Sequence, residues 1–283
     1  MEALRQIDGW DVPNAAASVL GRDGVLGTRG DGGRVYRLAS VTKLMTALAC
    51  LVAAEEGVVD LDQPAGPPGS TIRHLLAHAS GLPFEGTGPP IARPGTRRIY
   101  SNSGFEALAD AVAVQAEMPF DEYLRAAVFE PLAMARTELR GSPAAEVHGP
   151  LDDLVRFAAE LLAPRLVSTE TFAEATSVQF PGLAGVLPGI GRYDPLDWGL
   201  GFELRDAKAG HWSGSRTSPR AFGHFGGSGT FLWVDPEPGI ACVSLTDREF
   251  GPWALQAWPR LSDAVLAEVR GPDPEPGPRT DRS

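Results

Sequence analysis

Ser40 and Lys43 are the first residues whose types and spacing suggest chemistry, in the stretch Leu38-Ala39-Ser40-Val41-Thr42-Lys43 ahead of an apolar run over 44–54. Positions i and i+3 of a helix share a face, so the spacing brings a lysine amine against a serine hydroxyl. At a helix N-terminus the serine also meets unpaired backbone N–H groups and the positive end of the dipole, which favour a developing anion. An amine is a base only when neutral, so Lys43 needs burial or a cationic neighbour to bring its pKa toward working pH. The plainer reading is a capping serine beside a lysine whose stem lies along apolar surface. Partners downstream decide between the two.

Two stretches supply such partners. Tyr100-Ser101-Asn102 sits between the loop Arg93-Pro94-Gly95-Thr96-Arg97-Arg98 and a helical pattern, a junction able to aim side chains into a cleft. A tyrosine near an ammonium is acidified, and in a relay with Lys43 it can take the Ser40 proton. Asn102 is placed to donate to a substrate carbonyl. The second stretch is His224-Phe225-Gly226-Gly227-Ser228-Gly229-Thr230, leading into Phe231-Leu232-Trp233-Val234. Glycines weaken a strand unless a ligand or another backbone must come close, so His224, Gly226 and Gly227 read as a wall of the substrate site. The N–H of Gly227 is then a second oxyanion donor opposite that of Ser40. A phosphate loop is excluded because no Lys-Ser/Thr pair follows the glycines. His74 and His78 are four apart, but lack the intervening acid and the third ligand of a zinc site. They read as structural, and neither a metal nor another cofactor is expected.

Positioning these groups takes a sheet and a helical region. Residues 14–20 and 25–28 read as a hairpin turning at Gly21-Arg22-Asp23-Gly24, and 35–38 as a third extended piece leading to Ser40. The helix after Ser40 is apolar almost all round, hence buried, and stops at Gly57. Further helices are expected over 71–78, 103–117, 120–128, 151–163 and 169–175, while 177–196 is Gly/Pro-rich and wraps the surface near the site. Strands return at 198–204, 211–213, 230–234 and 240–246, and a last helix at 254–270. Residues 271–283 form a polar, proline-rich tail expected to be disordered. This order predicts an α/β (α+β) fold: an antiparallel sheet built from both chain ends, flanked by helices, with a helical insertion. It makes one domain over 1–270, with its sheet region at about 1–39 and 197–270 and its helical region at about 40–196.

At 283 residues the chain can bury a substantial core, and its formal charge of −11 argues against nucleic acid or an anionic membrane surface as partner. Cys50 and Cys242 lie in separate apolar runs and read as buried thiols, which suits a reducing compartment. Glu2, Arg5, Asp8 and Asp11 interrupt any apolar stretch in the first twenty residues, so no signal peptide is read and the cytoplasm is the expected location.

Taken together and in this order, the motifs resemble the serine β-lactamase and penicillin-binding protein superfamily, nearest its class C β-lactamase, D-Ala-D-Ala carboxypeptidase and family VIII esterase branch. Ser40-Val41-Thr42-Lys43 is similar to the nucleophile motif, Tyr100-Ser101-Asn102 to the second, and His224-Phe225-Gly226 to a variant of Lys-Thr-Gly. Ile72–Pro83 and Pro94-Gly95 are family-like as well, so the likeness covers about 14–270. It implies a β-lactamase/transpeptidase-like fold and acyl transfer through a serine ester, with a small-molecule ester or amide as substrate. Esterase-type hydrolysis is the expected activity. Acyl transfer in a biosynthetic pathway, D-amino-acid peptidase or β-lactamase activity, and a non-catalytic binding role are the alternatives. Relatives often place a lysine where His224 stands, to meet a substrate carboxylate. A histidine there is expected to lose that attraction as pH rises through its ordinary pKa of ~6.5.

Overall fold

The computed structural model describes residues 1–270; the expected disordered tail lies outside them. A 3₁₀ helix (Ala3–Gly9) leads into strands β1 (Ala15–Gly21), β2 (Gly24–Arg29) and β3 (Val35–Arg37). A 3₁₀ turn (Ala39–Val41) then opens helix α1 (Thr42–Glu55), followed by α2 (Ile72–Leu76), β4 (Arg98–Ile99), α3 (Asn102–Ala116) and α4 (Phe120–Leu124), which continues as a π-helical turn over Arg125–Phe129. Next come β5 (Glu138–Leu139), β6 (Val147–Pro150), α5 (Leu151–Leu162), α6 (Thr169–Ala175), β7 (Gly185–Leu187) and β8 (Gly191–Tyr193). The chain returns through β9 (Glu203–Leu204), β10 (Phe222–Gly226), β11 (Thr230–Asp235) and β12 (Ile240–Thr246) to α7 (Pro252–Arg270).

Both ends of the chain meet in one six-stranded antiparallel sheet, ordered β2-β1-β12-β11-β10-β9. Side chains alternate faces along a strand, and β12 shows why Ile240–Val243 is nonetheless apolar at every position. Ala241, Val243 and Leu245 join the core built on α1, α3 and α5, while Ile240 and Cys242 join a second core under α7 and the N-terminal 3₁₀ helix. Helices cover both faces, so no residue of β11 or β12 has a wet side. Helix α1 is buried from Thr42 to Ala53, and each buried leucine there contributes ~1.5–3 kcal/mol. Its apolar run is the reason Ser40 has a rigid support. Cys50 and Cys242 are both free and buried, and no helix among the described residues is long and apolar enough to cross a membrane.

Three sequence expectations shift. β3 pairs with β6 in a separate three-stranded sheet rather than joining the large one. Residues 211–213 make no strand, because His211 is held by side chains: Nε2 lies 3.0 Å from Glu203 Oε1 and Nδ1 lies 2.7 Å from Ser213 Oγ. Within the same expectation of returning strands, 198–204 shortens to β9 and an isolated bridge between Trp198 and Glu203. Conversely, 222–226 is a full strand despite two glycines, since a Cβ at Gly223 would stand 2.1 Å from Leu232 O and one at Gly226 would stand 2.3 Å from Leu38 O. Close backbone approach, which glycine alone permits, overrides weak strand propensity there.

Candidate active site

Ser40 lies at the centre of the short 3₁₀ turn that precedes α1, with no side-chain cap on that turn. Ala39 before it holds φ at +46°, a conformation L residues rarely adopt and one that recurs at functional sites. The turn is pinned to the sheet: Thr230 Oγ1 donates to Leu38 O at 2.8 Å, and Ser228 Oγ donates to Arg37 O at 2.6 Å. Gly226 is where β10 and the turn touch. We expect Gly226→Ala to push the Ser40 turn off the strand, since its new Cβ would meet Leu38 O and, at 3.1 Å, the Ala39 Cβ. A displacement of about 1 Å costs roughly 10²-fold in rate, so ester turnover measured under subsaturating substrate should drop by that order while the protein still folds.

Lys43 is fully buried in the first turn of α1. Its Nζ donates to Asn102 Oδ1 at 2.6 Å and to Ala144 O at 2.8 Å, and stands 4.7 Å from the centre of the Tyr100 ring. Burial brings the amine down to about 7, against the opposing pull of Glu106 and Glu85. Two acceptors use two N–H bonds, which is the complement of a neutral amine and leaves its lone pair unspent. Ala144 is presented by the segment tied to α1 through Thr46 Oγ1, which donates to Pro143 O at 2.7 Å, and Thr42 Oγ1, which accepts from Val147 N–H at 3.0 Å.

Tyr100 is buried beside His78 (ring centroids 4.5 Å apart), His224 (5.6 Å) and Trp198 (5.9 Å). Burial pushes its phenol well up, and an interaction with the Ser40 hydroxyl pulls the other way. Its Oη lies 3.3 Å from His224 Nε2, and His224 Nδ1 lies 2.6 Å from Phe225 O. A carbonyl only accepts, so Nδ1 carries the proton and Nε2 accepts from the tyrosine. His78 supports the ring from behind: its Nδ1 accepts from the Ser101 N–H at 3.1 Å, and Ser101 Oγ accepts from Gly104 N–H at 2.8 Å to start α3.

The structure therefore brings Ser40, Lys43, Tyr100, Asn102 and His224 together, but changes the part expected of His224. Asn102 holds Lys43 with its oxygen and donates one Nδ2–H to Glu85 Oε1 at 3.0 Å, which leaves its second N–H for a substrate carbonyl. His224 is 1% exposed, and burial together with Lys43 brings its imidazole down to about 4. It is uncharged near neutral pH and cannot supply the fading attraction for a carboxylate expected of it. Gly226 packs on the Leu38 carbonyl instead of facing substrate. Gly227 does face the cavity, with open space at its Cβ position.

That cavity, of about 220 Å³, is bounded by Ser40, Tyr100, His224, Phe225 and Gly227 together with Phe84, Leu187, Pro188, Gly189 and Phe250. Sequence reasoning missed these last five, and also Ala144, whose contribution is a backbone carbonyl. Only the Gly/Pro richness of 177–196 hinted at a wall there. Its hairpin, β7 with β8, pairs with β4 and so hangs beside Tyr100.

Comparison with known proteins agrees with this architecture. A β-lactamase from Mycobacterium bovis is 56% identical, with a TM-score of 0.93 over 94% of this chain and 99% of its own. The D-alanyl-D-alanine-carboxypeptidase/endopeptidase AmpH of Escherichia coli is 30% identical across 38% of this chain and 38% of its own length, so only part of that curated relative is matched. Simvastatin synthase from Aspergillus terreus shares the fold at 16% identity, with a TM-score of 0.77 over 95% of this chain and 94% of its own. The Beta-lactamase family model matches residues 5–267, a span that takes in every element around Ser40, and the chain belongs to that family.

Proposed function

We propose that the protein is a serine hydrolase that cleaves an ester, or a comparably activated amide, through an acyl group carried on Ser40. The observation that supports this reading best is the buried Lys43, held near 7 with two acceptors on its nitrogen, next to a tyrosine that also meets the serine. A general base works best with a pKa near operating pH, and of the three titratable groups only Lys43 meets that condition. Ser40 Oγ attacks the carbonyl carbon while its proton passes through Tyr100 toward the Lys43 amine. The N–H groups of Ser40 and Gly227 hold the oxyanion, and His224 Nε2 holds the phenol proton at rest until it turns to the Lys43 amine as Tyr100 takes the proton of Ser40. Return of the proton to the leaving oxygen frees the alcohol, and water then releases the acid. Acyl transfer differs only in that an alcohol or amine replaces this water.

A fluorophosphonate probe and a simple nitrophenyl ester test the reading. Labelling with turnover supports it, labelling without turnover points to acyl transfer or binding, and the absence of both on folded protein overturns it. The electrostatics also set a pH dependence. A lysine that must be neutral makes kcat/KM for a neutral ester rise with pH around a midpoint of about 7. Asn102→Asp places a carboxylate against the amine, which favours the ammonium and raises its pKa. The midpoint should then move up by about one pH unit or more. A shift downward, or none, would show that Lys43 does not titrate in the rate.

A further inference from the structure

A second cavity, of about 570 Å³, opens next to the catalytic one and shares Phe84, Tyr100 and Pro188 with it. Its volume is that of a ligand site in its own right. The floor is unusually apolar for surface: Ile91 is 62% exposed, Val186 55% and Phe84 45%. Its charged lining is entirely basic. Arg98 is buried and spent on the carbonyls of Ala77, Gln179, Phe180 and Leu196, but Arg97 and Arg192 are exposed. Among the described residues Arg97 has no ion pair, and Arg192 has only Asp194, at 3.4 Å with both side chains exposed. No aspartate or glutamate lines the groove. The acidic groups near the site, Glu85 and Glu106, lie by Lys43 and Asn102 instead, with Glu85 accepting from Asn102 Nδ2.

We infer that the substrate is amphipathic: an ester whose far side runs along Phe84, Ile91 and Val186 and ends in an anion met by Arg97 and Arg192. This rests on the hydrolase reading and narrows it. With His224 buried and neutral, these arginines are the cations beside the site able to recognise a negative group.

The test uses the Ser40→Ala protein and two ligands, the nitrophenyl monoester of suberic acid and its methyl-capped neutral analogue, titrated by calorimetry at low and at high salt. The anionic ester should bind about three- to tenfold tighter at low salt, as expected of two exposed charge contacts, and the preference should shrink at high salt. In a Ser40→Ala/Arg97→Gln/Arg192→Gln protein the ratio of the two affinities should fall to about one. Equal affinities in the starting protein, or a preference that survives loss of both arginines, would overturn the inference. Because binding is read without turnover, failure of hydrolysis by the unmodified protein on the neutral ester counts against the hydrolase reading alone.

Discussion

Replacing Ser40 by alanine is expected to cut nitrophenyl ester turnover by roughly 10³-fold or more and to abolish fluorophosphonate labelling. The size follows from the role: without Oγ no acyl bond forms, and what remains is the oxyanion pocket acting on water. The fold should be nearly untouched. Ser40 caps nothing on its turn, and losing one partly buried hydroxyl contact costs about 0.5–1.5 kcal/mol. A melting temperature within several degrees of the parent, with activity gone, separates chemistry from stability. Retained turnover would mean that another residue attacks.

Lys43→Met and Tyr100→Phe should each lower kcat/KM by roughly 10²–10⁴-fold, the range of a lost proton-transfer group. In the proposed relay both residues serve one proton path, and the Lys43 amine lies 4.7 Å from the centre of the Tyr100 ring. Their losses should not multiply. The double variant should be barely slower than the poorer single one, as happens when catalytic residues act as a unit. Multiplicative losses would show two independent functions and remove the relay. Methionine matches the volume of the lysine stem, but strands Asn102 Oδ1 and Ala144 O, so the activity comparison should be made on variants whose cooperative unfolding has been verified.

Much of this site was legible before any coordinates because its reactive groups are rare residue types at short, fixed spacings. Serine three before lysine, followed by a run over 44–54 that is apolar but for Thr46, suggests the chemistry and states the buried helix that holds it. The β1/β2 hairpin was legible for a similar reason, its turn residues standing between two apolar runs. Environment was not legible. A histidine at 224 reads as a titrating surface group until the packing of Trp198, Tyr100 and Phe225 around it is known, and its pKa belongs to that packing. The pairing of Asn102 with Glu85 was hidden because Glu85 lies 17 positions earlier in a loop with no periodicity. Ala144 offers only a carbonyl, a group every residue carries. Strand β10 was obscured by glycines whose purpose, contact with Leu232 and Leu38, is visible only in three dimensions.

The central claim, that Ser40 carries the acyl group, is tested most directly by locating the adduct. The protein is mixed with a slowly released ester, quenched in acid, digested, and the acylated peptide fragmented by mass spectrometry. A single acyl mass on Ser40 is predicted. The neighbouring hydroxyls are already committed, Ser101 Oγ donating to Pro83 O and Ser228 Oγ to Arg37 O, each at 2.6 Å. An acyl group on Ser101 or Ser228, with Ser40 unmodified, would contradict the account.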